Sequence, residues 1–223
     1  MQEHYIKDKI KERYGKIAIT GTEACCTPTI IIDDKESISS GCCSPNNSAT
    51  AIGYKTEELE SIPKASVLGV GCGAPLHYAG VKEGETVVDL GSGAGIDAFL
   101  SANKVGSSGK VIGIDMTDEM LEKARKNAKD NGYTNVEFRK GDIEKRIPVD
   151  DNSVDLVISN CVINLTIDKT DTFREVHRIL KQGQGRMVSY NAFFSRPCSV
   201  TKIPHDPTFF SYIFTAFFAI THP

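Results

Sequence analysis

The chain has 223 residues, with 26 Lys and Arg against 29 Asp and Glu for a formal net charge of −3. That length suits one α/β domain with a small addition, and the mild acidity argues against nucleic acid or an anionic membrane as partner. The first residues lack the apolar core of a secretion signal and no apolar run approaches the roughly 20 residues that span a bilayer, so the expected location is cytoplasmic.

Residues 1–16 read as an amphipathic helix, because Ile6, Ile10 and Tyr14 recur every four positions among charged neighbours. Residues 20–53, rich in Gly, Ser, Thr and Cys, show no period and read as an extended or mobile segment. Thr56, with Glu57 and Glu58 in the first turn, starts a short helix that Pro63 stops. From Glu85 onward strands and helices alternate. The strands are Glu85–Leu90, Lys110–Asp115, Val136–Arg139, Val154–Ser159 and Gly185–Tyr190. The helices are Ala94–Lys104, a Thr117-capped helix ending near Asn131, and residues 169–180, whose Phe173, Val176, Ile179 and Leu180 share a face. Apolar strands in repeated βα units predict an α/β, Rossmann-like fold with a mostly parallel sheet covered on both sides. The expected division is an N-terminal helix and Cys-rich segment (1–80), a cofactor-binding domain (81–190) and an aromatic tail (191–223).

Asp89-Leu90-Gly91-Ser92-Gly93-Ala94-Gly95 follows the first strand, and its glycines let the backbone turn tightly beneath a ligand. The acid two places before Gly91 would repel a pyrophosphate but suits the ammonium of S-adenosylmethionine. Further candidates sit at successive strand ends. Asp115 is placed to accept from both ribose hydroxyls. Asp142 is placed to accept from an adenine amino group, with Ile143 against the ring, and Asn160 to border the methyl-bearing sulfur.

Seven cysteines (25, 26, 42, 43, 72, 161 and 198) occur without C-x-x-C spacing, which leaves soft-metal binding, redox chemistry or small buried hydrophobes open. Adjacent pairs such as Cys25-Cys26 and Cys42-Cys43 aim two sulfurs poorly at one tetrahedral zinc. Cys161 follows the fourth strand beside the expected cofactor sulfur, and Cys72 lies between Gly71 and Gly73 in a loop able to fold over the site. His77 and His177 read as surface or packing residues.

Over roughly residues 80–188 the chain resembles the class I methyltransferases. Tyr14-Gly15-Lys16, Gly71-Cys72-Gly73, Gly113-Ile114-Asp115-Met116-Thr117 and above all Ser159-Asn160-Cys161-Val162-Ile163-Asn164-Leu165 resemble arsenite methyltransferases. The resemblance adds Met116 to the cofactor residues and implies Cys72 and Cys161 as arsenic ligands. It also implies that Cys25 or Cys26 takes part in arsenic handling and forms a disulfide with Cys72. Arsenite or arsenic–thiol conjugates would be the substrate, and a thiol reductant (glutathione or a thioredoxin system) would reset the cysteines. Cys42-Cys43 would be a second relay or an intake site. Trivalent arsenic is soft and binds thiolates by the logic that selects soft ions. Its lone pair carries no proton, so attack on a sulfonium methyl in line needs no general base.

The resemblance stops near the fifth strand. The expected Lys-Pro-Gly-Gly turn reads Lys181-Gln182-Gly183-Gln184-Gly185, and no Cys-x-Gly-Gly-Ala follows. Seven of the ten phenylalanines fall in the last 31 residues. Either the tail is a variant in which Cys198, or a small-molecule thiol, completes the arsenic site, or a frame shift near codon 188 has left an unrelated tail, no terminal strands and an impaired enzyme. A non-catalytic thiol binder of arsenite and a methyltransferase for another small molecule are the competing functions. The oligomeric state is open.

Overall fold

The computed structural model describes residues 2–21, 45–190 and 198–201. Cys25, Cys26, Cys42, Cys43 and the aromatic stretch 207–221, with the expectations placed on them, lie outside these residues, as does the side chain of Cys198.

Helix α1 (Gln2–Thr20) runs four residues beyond the predicted end. It stops where Gly21 adopts φ 77° and donates its N–H to the Ile17 carbonyl (2.9 Å), a glycine C-terminal stop. Its inward face is rotated from the predicted one. Ile6 is 42% exposed, whereas Lys7, Ile17 and Ala18 are buried. Part of the segment read as extended is helical: α2 (Pro45–Ala51) begins with proline in the first turn, where its missing N–H costs nothing. Short helices α3 (Thr56–Glu60) and α4 (Leu76–Ala79) lead into the sheet.

The alternating part is β1 (Thr86–Leu90), α5 (Ile96–Val105), β2 (Lys110–Asp115), α6 (Asp118–Asp130), β3 (Val136–Lys140), β4 (Leu156–Asn160), α7 (Lys169–Ile179) and β5 (Arg186–Tyr190). The strand order is β3-β2-β1-β4-β5-β6, the first five parallel, and β6 (Cys198–Thr201) runs antiparallel to β5. The strand β6 corrects the expectation of no terminal strands; its register sets Cys198 opposite Ser189, next to the carboxyl end of β5.

Strand alternation divides the core. Val87, Val111 and Ile158 face Phe99, Leu121 and Ala124 of α5 and α6, while Val88, Ile112 and Val157 face Val176 and Ile179 of α7. Full burial of each Val, Leu, Ile or Phe side chain among these contributes roughly 1.5–3 kcal/mol. Both faces are therefore covered, as the continuous apolar strands predict. The chain path reverses between β1 and β4, which opens a crevice at their carboxyl ends. Among the described residues, no helix is long and apolar enough to cross a membrane.

Candidate active site

The crevice floor is the β1–α5 turn. Gly91, Gly93 and Gly95 have φ of 69°, 53° and 100°, which L side chains rarely adopt. A Cβ on Gly91 would lie 2.6 Å from Val162, and one on Gly95 2.7 Å from Phe99, so these two glycines also serve packing. Gly91 and Ser92 donate to the Ile114 carbonyl (2.8 and 3.0 Å), tying the turn to β2. Gly93 donates to Asp115 Oδ2 (2.9 Å), and Thr117 donates its N–H to Oδ1 (2.8 Å).

Three carboxylates gather there. Asp89 is 2% exposed and its Oδ2 has no hydrogen-bond partner. Burial, then the charges of Asp97 and Asp115, push its pKa well above the aspartate range against the Ala98 amide. Burial also raises Asp115, opposed by the Thr117 and Gly93 amides. Asp97 is raised by burial, against hydrogen bonds from Asn160 and Tyr54. Such a site favours a cationic ligand, because each carboxylate ionises more readily beside a positive charge.

Asn160 connects this group to the cysteine loop. Its Nδ2 donates to the Gly73 carbonyl (2.7 Å), Tyr54 Oη (3.0 Å) and Asp97 Oδ2 (3.1 Å), while its Oδ1 accepts from the Cys72 N–H (3.0 Å). Tyr54 Oη donates to Asp97, whose oxygens lie 2.8 and 2.9 Å away. The glycines flanking Cys72 are small because this loop is squeezed: a Cβ on Gly73 would lie 2.3 Å from the Tyr190 ring, and one on Gly71 2.9 Å from Asn160 Nδ2.

Cys72 and Cys161 are joined as a disulfide, with Cα atoms 6.0 Å apart and a sequence separation of 89. Cys161 takes a left-handed backbone (φ 64°), costing roughly 1–2 kcal/mol for a residue with a Cβ. Its N–H donates to the Tyr190 carbonyl (2.7 Å). The resemblance gives Cys72 an upstream partner, Cys25 or Cys26; here its sulfur is bonded to Cys161 instead.

A methyltransferase-domain family model matches residues 81–204. The chain belongs to the methyltransferase-domain family. The match continues through β6, past the point near residue 190 where the sequence reading loses the resemblance. The methyltransferase chain is 44% identical over 180 residues to an arsenite methyltransferase of Halobacterium salinarum, covering 79% of this chain and 45% of that one. It is 41% identical over 123 residues to the arsenite methyltransferase of Homo sapiens, covering 51% and 32%. It thus spans less than half the length of these relatives. Among solved structures it is similar to an arsenic(III) S-adenosylmethionine methyltransferase from Chlamydomonas reinhardtii (TM-score 0.51, 40% identity, 65% of this chain and 48% of that). A second likeness is to a SAM-dependent methyltransferase from Aquifex aeolicus (TM-score 0.50, 28% identity, 66% and 72%).

In this methyltransferase domain one pocket is lined by Asp89, Gly91, Ser92, Gly93, Asp115, Met116, Asp142, Ile143, Asn160 and Cys161, ten of the residues singled out from sequence. Gly95 and Cys72 do not line it; Gly95 packs on Phe99 and Phe138, and Cys72 reaches the pocket through its bond to Cys161. Asp142 has both oxygens engaged, Oδ2 by Lys7 Nζ (2.8 Å) and Oδ1 by the Glu144 N–H (3.1 Å). Burial raises its pKa, but Lys7 and the Glu144 amide outweigh that and hold it below the usual value. Lys7, Tyr54 and Asp97 line the pocket as well and are absent from the sequence-based set. Among the described residues no three His, Cys, Asp or Glu side chains form a metal-holding cluster. His77 meets the Glu58 carboxylate at 2.8 Å.

Proposed function

We propose that this chain binds S-adenosylmethionine and methylates trivalent arsenic held by Cys72 and Cys161. The observation that carries the reading is that Cys161, whose sulfur meets that of Cys72, lines one pocket together with Asp89, whose buried carboxylate oxygen has no partner. Asp89 Oδ2 fits the cofactor's ammonium, since a cation there would satisfy an acceptor that is otherwise costly to bury. Asp115 would hold the ribose hydroxyls and Met116 the sugar, while Asp142 and Ile143 would take the adenine. The names of the relatives support arsenic as the substrate.

The thiols act only when reduced. Two equivalents of a small thiol such as glutathione, or one thioredoxin-type dithiol, reduce the disulfide by two successive exchanges. The first leaves one thiolate and a mixed disulfide, and the second frees the other thiolate and releases the oxidised carrier disulfide. Arsenite then exchanges two hydroxyls for these sulfurs, releasing water, and a third thiol from solution or from Cys198 completes the pyramid. Asn160 holds the Cys72 backbone, and the left-handed turn at Cys161 aims the second sulfur, so both ligands are fixed before arsenic arrives. Bound S-adenosylmethionine supplies an electrophilic sulfonium methyl that the arsenic lone pair accepts without a general base. Methylation oxidises arsenic by two electrons, and re-forming a cysteine disulfide at Cys72 returns them.

Reduced protein incubated with arsenite, S-adenosylmethionine and glutathione should yield methylated arsenicals by chromatography with elemental detection. Cys161→Ser should abolish them. Arsenic bound without any methylated product would leave a thiol binder and refute the transferase reading.

A further inference from the structure

We infer that helix α1 roofs the cofactor pocket and that Lys7 fastens it there, which makes Lys7 a positioning residue for cofactor retention. The inference rests on the cofactor reading above. Helix α1 lies outside the segment 81–204 that carries the family match, yet Lys7, Ile10 and Tyr14 line the same pocket as Asp115 and Asp142. A pocket built from strand ends alone would lack this side.

The two halves of α1 are held differently. In the C-terminal half Ile17 and Ala18 pack with Leu68, Ala94 and Met120, and Lys123 Nζ donates to the Ala18 carbonyl (3.0 Å). In the N-terminal half residues 4–6, 8 and 9 are exposed, while Lys7 is 8% exposed. Its ammonium lies 2.8 Å from Asp142 Oδ2 and 2.8 Å from Glu144 Oε2. Glu144 is itself fixed, because its Oε1 accepts the Ile167 and Asp168 amides (2.7 and 2.6 Å) ahead of α7. Burial disfavours the charged lysine, but the hydrogen bonds and attraction of the two carboxylates prevail and hold it above the usual lysine range.

Breaking such a bridge from one side leaves two partly buried carboxylates facing each other, which costs far more than losing a surface pair. The bridge therefore does two things at once. It draws the first turns of α1 over the pocket, and it fixes the Asp142 carboxylate at the edge where adenine would lie.

The test uses the full chain with Lys7→Met, which keeps the stem and removes the charge, and Lys7→Arg, which keeps the charge. Hydrogen–deuterium exchange without cofactor should quicken in residues 4–10 of the Met variant and stay unchanged in residues 15–20 and in β1. Calorimetry and stopped-flow displacement should show S-adenosylmethionine and S-adenosylhomocysteine bound about tenfold or more weakly, chiefly through faster release, with Lys7→Arg restoring most of the loss. Exchange that rises uniformly across β1–β5 would mean a general structural role and overturn the inference. So would unchanged exchange and affinity in Lys7→Met. Failure of the unaltered chain to bind either ligand would instead sink the cofactor reading, while the exchange result would still judge the fastening of α1.

Discussion

Replacing Asn160 by alanine removes the link between the cysteine loop and the carboxylate group. In the structure one carboxamide serves the Cys72 N–H, the Gly73 carbonyl, Tyr54 and Asp97. Alanine leaves a loop amide, a loop carbonyl and part of a buried carboxylate without those partners. An ordinary hydrogen bond contributes about 1 kcal/mol net and one to a charged group about 1.5–3, while water entering the space offsets part of the loss. The expected destabilisation is about 2–4 kcal/mol, or about 5–15 °C in melting temperature for a chain of this size. It should be measured by urea unfolding of the reduced protein, so that the disulfide does not mask it. The freed loop should also weaken arsenite binding about tenfold, since Cys72 is no longer held beside Cys161. A loss under about 0.5 kcal/mol together with unchanged arsenite affinity would refute the claim that Asn160 positions the thiol.

Gly73→Ala should force the cysteine loop away from Tyr190, because the new methyl would sit 2.3 Å from that ring; thiol counting should show slower closure of the Cys72–Cys161 disulfide, and adding Tyr190→Ala should restore it. Asp89→Asn should weaken S-adenosylmethionine binding about a hundredfold while raising stability by about 1–2 kcal/mol, because a neutral amide does not carry the cost of holding a buried carboxyl out of its preferred charged form. Calorimetry and thermal melting report the two halves separately. The pKa of Asp89 is raised in the folded chain by burial and by Asp97 and Asp115, so the native state keeps a proton that the unfolded chain loses above about pH 4. Its contribution is thus most favourable below that pH and is lost as pH rises, so the stability gap between Asp89→Asn and the unaltered chain should widen from pH 4 toward neutrality. A gap constant with pH would contradict the burial argument.

The pocket was legible where chemistry and periodicity coincide. Asp89, Asp115 and Asn160 each lie at the end of a strand whose apolar run is plain, so their meeting at one sheet end follows from the parallel topology. Asp97 was not, because an acid in the first turn of a helix reads as an ordinary partner of its dipole. Tyr54 lies beyond a Cys- and Ser-rich stretch without period, and nothing local marks it as the hydroxyl that reaches Asp97. Lys7 looked like one charge among many on α1; a face rotated by one residue buries it and exposes Ile6. The hydrogen bonds of Asn160 were not legible either: its place after the fourth strand suggested a border of the cofactor sulfur, and nothing local marks its amide as the partner of the Cys72 loop. Helix α2 did carry a signal in Ser44-Pro45 followed by two alanines, outweighed by the surrounding composition. In the tail the loss of charge drew attention from Ser199-Val200-Thr201, whose Val and Thr suit a strand.

The most direct test of shared arsenic ligation is protection of individual cysteines. Fully reduced chain should be titrated with arsenite, alkylated, and mapped by mass spectrometry. One arsenic per chain should shield Cys72 and Cys161 together, and replacing either by serine should expose the other. Alkylation of both sulfurs at saturating arsenite, or shielding of one that persists after the other is replaced, would contradict the account.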